Sequence, residues 1–138
     1  MKRIFILLCM LCISACSLHT PEAVPEITDY KYGVINFYAE STLERTEPII
    51  TASVALTEEE AARVKQYIDN VDKWINDALV DRLPFYFDGE IKLADSDAVY
   101  YFAYDTKIFR RDSESHFGTL EKEAVKYIKS LRTKKETA

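Results

Sequence analysis

Alternation and helical spacing divide the chain beyond residue 30 into six elements. Residues 32–40 are rich in β-branched and aromatic side chains, and residues 49–56 alternate with Ile50, Ala52, Val54 and Leu56 on one face. The polar stretch 41–48 between them predicts an antiparallel pair. Thr57-Glu58-Glu59-Glu60 then reads as a capping box, in which the Thr57 hydroxyl accepts from the backbone N–H of residue 60 and the Glu60 carboxylate reaches back. The helix it opens carries Ala61, Val64, Ile68, Val71, Ile75, Ala78 and Leu79 at steps of three and four, and Pro84 marks its predicted end. Residues 85–93 alternate again, with Phe85, Phe87, Ile91 and Leu93 opposed to Tyr86, Asp88, Glu90 and Lys92. Asp95-Ser96-Asp97 predicts a turn, residues 98–108 a fourth strand and residues 110–118 a polar connection. A last helix is expected from Thr119, turning Leu120, Ala124, Ile128 and Leu131 inward.

The order ββαββα predicts an α+β fold: a two-layer sandwich with a four-stranded, mainly antiparallel sheet and both helices on one face. Residues 31–138 form its single domain. The full chain of 138 residues agrees, because two independent cores would each be too small to bury enough apolar surface.

The N-terminal thirty residues follow a different pattern. Met1-Lys2-Arg3 is a short basic start, and residues 4–13 are an uninterrupted apolar run. Such a run falls short of the roughly 20 residues a membrane-spanning helix needs, and it has the form of a secretory signal. It ends in Ile13-Ser14-Ala15-Cys16, one aliphatic residue and two small ones before a cysteine. This segment resembles the lipobox of bacterial lipoproteins. The resemblance implies cleavage after residue 15, diacylglycerol on Cys16 and a periplasm-facing lipid anchor; Ser17 at the next position implies delivery to the outer membrane. Two or three acyl chains, at about 0.8 kcal/mol per buried methylene, make such an anchor effectively permanent. Residues 16–30 are then the lipidated cysteine and a flexible, proline-containing tether with an r.m.s. span of about 20 Å.

The same processing changes the charge. The chain has 18 basic and 23 acidic residues, a net charge of −5; loss of Lys2 and Arg3 leaves 16 against 23, or −7. That balance argues against a nucleic-acid partner. Cys9 and Cys12 leave with the signal, so their spacing is neither a redox nor a zinc motif.

No glycine-rich phosphate loop or histidine cluster stands out, and no catalytic residue, metal ligand or cofactor is expected. Asp112-Ser113-Glu114-Ser115-His116 places serine, acid and histidine side by side, whereas a triad converges from separate elements. The basic end of the last helix, with Arg132, Lys134 and Lys135, suits the negative helix terminus, with anionic lipid as the other candidate. The nine tyrosines carry the strongest functional signal. Tyrosine supplies contact area at low rotamer cost and tolerates water, so Tyr32, Tyr38, Tyr86, Tyr100, Phe102 and Tyr104 are the expected binding face on the open side of the sheet. The expectation is a non-enzymatic protein-binding lipoprotein of the outer membrane, serving an envelope protein as an accessory, assembly, inhibitor or immunity factor. The alternative is a small-ligand-binding or hydrolytic lipoprotein with a site of dispersed carboxylates and tyrosines.

Overall fold

A computed structural model describes residues 21–40, 47–76, 87–113 and 115–136. The fold is α+β, with strands β1 (Gly33–Tyr38), β2 (Ile50–Ala55), β3 (Ile75–Asn76), β4 (Gly89–Leu93), β5 (Val99–Phe102), β6 (Lys107–Arg111) and β7 (Ser115–Thr119), and helices α1 (Glu58–Asp69) and α2 (Lys122–Glu136). All neighbouring strands are antiparallel, in the order β2-β1-β4-β5-β6-β7-β3.

Among the described residues the sheet thus has seven strands where four were expected, and the additional ones have local causes. Ala103 to Thr106 turns the expected fourth strand back on itself, splitting it into β5 and β6; Thr106 holds a left-handed φ of 81° there. The stretch expected as a polar connection is β7, which pairs with β6 from Lys107↔Thr119 to Arg111↔Ser115. Helix α2 consequently begins at Lys122 instead of Thr119, and Leu120 N–H is bonded to Thr106 O at 2.7 Å.

Helix α1 starts as expected. Glu60 N–H donates to Thr57 Oγ1 at 3.2 Å, and Thr57 N–H donates to Glu60 Oε2 at 2.9 Å. It stops at Asp69, well before Pro84, because Asp69 and Asn70 are weak helix formers and the chain gains better packing by turning away. Val71 and Trp74 leave the helical path for the core, Trp74 lying 6.4 Å from the Tyr100 ring. The space is supplied by Gly118 in β7, where a Cβ would stand 2.5 Å from Val71 Cγ1. Ile75, expected on the buried helix face, pairs instead with Phe117 as part of β3 and is 57% exposed. Ala78, Leu79 and Pro84 lie outside the described residues.

The apolar stripes of both helices join one core. Val64 and Ile68 of α1, and Ala124, Ile128 and Leu131 of α2, pack with Ile35, Phe37, Ile91, Tyr100, Phe102 and Ile108 from the sheet. β1 is buried along its whole length, which shows that the opposite face of the sheet is covered over this strand as well.

Candidate functional site

Among the described residues, the expected aromatic binding face is not assembled on one side of the sheet. Tyr100 and Phe102 occupy the β5 positions that face the helices and are 7% and 1% exposed; Phe102 meets Phe37 edge-on at 5.8 Å. Tyr104 follows in the turn, half-buried, its ring 6.2 Å from Phe102 and covered by Lys129 Nζ at 4.3 Å, while its N–H donates to Asp88 Oδ2. Tyr32 packs against the same helix-side core. Tyr38 points to the other face and is also buried, beside Glu90. Tyr86 lies outside the described residues, as do Cys16 and the lipobox. The reason is the composition of β5: Val99-Tyr100-Tyr101-Phe102 is apolar on both parities, so alternation alone does not say which side meets the helices.

The second face instead carries two clusters that strand alternation assembles from distant residues. The first is aromatic. Phe109, opposite Tyr101 and Phe117 in register, lies 6.1 Å from the Tyr101 ring and 5.0 Å from Phe117, and Phe87 stacks on it at 6.1 Å. Phe87 and Phe109 are buried, whereas Tyr101 and Phe117 are half-exposed. From this cluster a groove of about 1060 Å³ runs past the β7 edge toward the end of α1. Phe87, Phe117 and Ile75 make its apolar floor, and Lys73, Asp105 and Lys107 stand on its rim. Residues 77–86 connect its two sides in sequence and are outside the described residues. Thr106, the one described non-glycine residue with positive φ, lies in the turn that carries Asp105 to the rim.

The second cluster is polar. Asn36, fully buried on β1, donates through Nδ2 to Glu90 Oε1 at 2.8 Å and to Glu26 Oε1 at 3.0 Å, and accepts from Ser53 Oγ at 2.7 Å. Lys92 Nζ bridges Glu26 at 2.6 Å and Glu90 at 3.1 Å. The Lys92 hydrogen bond, opposed by desolvation, holds the Glu26 carboxyl below its usual range. Burial disfavours the Lys92 ammonium, but bonds to the two carboxylates outweigh it and raise its pKa. Burial pushes the Tyr38 phenol far up, and its hydrogen bond to Glu90 adds to the effect. Every polar group of this cluster has a partner, which is what buried polar groups require.

Glu26 belongs to the segment expected to be a free tether. Val24 N–H donates to Ile50 O, Ile27 N–H donates to Ser53 Oγ, each at 2.9 Å, and Glu26 enters the polar cluster. The second half of the expected tether is therefore part of the fold. Nothing in the sequence flagged Glu26, because its partners are 10 and 66 residues away.

Other candidates resolve into local structure. Asp95 is bonded to Lys65 at 2.6 Å, and Asp112 to Arg110 at 2.7 Å. His116 pairs opposite Arg110 in the β6–β7 ladder. Lys134 bonds Glu60 at 3.2 Å, tying the basic end of α2 to the start of α1. Among the described residues no three His, Cys, Asp or Glu side chains are grouped to hold a metal, and no helix is long and apolar enough to cross a membrane. The chain matches no family model, no curated protein and no solved structure.

Proposed function

We propose that the protein is an outer-membrane lipoprotein, anchored through Cys16, whose domain binds an envelope protein without catalysing a reaction. The anchor rests on the resemblance of Ile13-Ser14-Ala15-Cys16 to a lipobox. The binding role rests on one observation, the groove at the β7 edge: an apolar floor with an exposed Ile75, bordered by charges of both signs. An apolar centre inside a polar rim is the usual anatomy of a protein interface. The alternative, a ligand site of carboxylates and tyrosines, would draw on Glu26, Glu90 and Tyr38. Those groups are already committed to one another through Asn36 and Lys92, and they hold the sheet to the N-terminal segment.

The test is site-specific photo-crosslinking in intact cells, with the probe at Ile75 or Lys107 and a control at Lys65. The expected result is one partner band from both groove positions and none from Lys65, abolished at the Lys107 probe by Ile75→Asp. Products that map only within the chain, including to residues 77–86, would overturn the assignment of the groove. For the anchor, fatty-acid labelling is expected in the parent and not in Cys16→Ser; equal labelling rejects it.

A further inference from the structure

The N-terminal segment bears on how the domain is presented. Residues 21–30 are attached through Val24, Glu26 and Ile27, whereas Glu22, Ala23, Pro25, Thr28 and Asp29 are exposed. Beneath it, the polar groups of the sheet stay paired without it. If Glu26 departs, Lys92 keeps Glu90 at 3.1 Å, and Asn36 keeps both Glu90 at 2.8 Å and Ser53 at 2.7 Å. No buried charge is left unpaired, so the usual penalty for opening a buried ion pair is avoided. A segment attached at Val24, Glu26 and Ile27, with five of its ten side chains exposed and polar groups beneath it that stay paired without it, belongs to the low-stability end of a fold.

We propose that residues 21–30 are a releasable strap, latched by Glu26, that sets how far the domain stands from its anchor. The strap itself does not depend on lipidation; the stand-off rests on the reading of Cys16 as the anchor. With the strap docked, the chain is held at Val24, eight residues from Cys16, a reach of at most about 29 Å. With the strap released, the first hold is Gly33 in β1, and the maximum reach rises to about 60 Å. Release also frees the Ile50 carbonyl and the Ser53 hydroxyl on the edge strand.

The strap is tested by amide hydrogen exchange on the full chain carrying Cys16→Ser, with and without Glu26→Gln. The expected result is a loss of protection of about tenfold or more at the Val24 and Ile27 amides, with Ile35 and Ile91 unchanged. Unchanged protection at Val24 and Ile27 would overturn the latch; an equal loss at Ile35 would show that the segment opens only with the whole sheet and would overturn the strap. Ser53→Ala provides a second route, with a loss expected at Ile27. The stand-off is tested on the lipidated chain in phospholipid vesicles, by energy transfer from a dye on the domain to labelled headgroups. Glu26→Gln is expected to lower the transfer, and unchanged transfer despite faster exchange rejects the stand-off role. If the Cys16→Ser chain joins vesicles as the parent does, the anchor reading fails while the strap stands.

Discussion

The two faces of the sheet solve the same problem of burial with different means. On the helix side, Ile35, Phe37, Ile91 and Phe102 meet two amphipathic helices and form a core of 0–1% exposed side chains. On the other side no helix is present among the described residues; β1 and β4 are covered there by a polar cluster and an extended segment, and β6 and β7 carry aromatic rings that remain partly open. The first face gives the domain its stability. The second leaves surface open, and both proposals made for this protein lie there.

Five changes sharpen or break that contrast. The largest effect is expected from Phe102→Ala, which empties a fully buried site on the helix side and should cost about 3–5 kcal/mol in urea unfolding. Phe117→Ala on the second face should cost only about 1–2 kcal/mol, since its ring is half-exposed; equal losses would mean that the groove floor is core. Next comes Gly89→Ala. Its Cβ would stand 2.3 Å from Asn36 O and 2.5 Å from Phe102 Cζ, so overpacking of about 1–3 kcal/mol is expected, more than an alanine in an ordinary strand would bring.

Acidification follows. Glu26 has a depressed folded pKa, so its contribution is fully present above about 4.5, the value of the free carboxyl, and is lost as pH falls through the folded value. The groups facing it are Lys92 and Glu90 on β4 and Asn36 and Tyr38 on β1. Exchange at Val24 and Ile27 should accelerate in that acid window. Glu60 is depressed as well, burial being outweighed by the Thr57 N–H and Lys134, so the α1 cap weakens over the same range and is read separately at the Glu60 amide. If Ile35 exchanges as readily as Ile27 at that pH, the two faces do not differ in stability. The smallest effect belongs to Thr106→Gly, which relieves a β-branched residue at φ 81° and should stabilise by about 0.5–1 kcal/mol, measured as a shift of the urea midpoint.

Legibility followed the range of the interactions. The capping box at Thr57 and Glu60 spans three residues and was readable at its atoms. The β1–β2 pair was readable because its polar connection separates two clear runs. The end of α1 was not: Ile75 continues the helical spacing, and only the space above Gly118, more than 40 residues along the chain, draws Val71 and Trp74 out of it. The splitting of residues 98–108 was hidden because Tyr104 and Ile108 extend a strand-like run through a real turn. The groove was missed for a related reason. Its floor takes Ile75, Phe87 and Phe117 from three separate stretches, and no local spacing links them.

The sequence by itself determined the α+β class, the helix start at Thr57, the core-facing stripe of α2 and the lipobox-like segment, since each depends on neighbours within one turn or one strand. Tertiary structure decided which parity of β5 is buried, where α1 ends and whether residues 24–27 are a free tether or part of the fold. Tyr100 and Tyr101 are equally apolar candidates until the helices choose between them. Glu26 is an ordinary surface acid until folding brings Lys92 within 2.6 Å. Choices of that kind are made by partners far away in the chain, and periodicity carries no record of them.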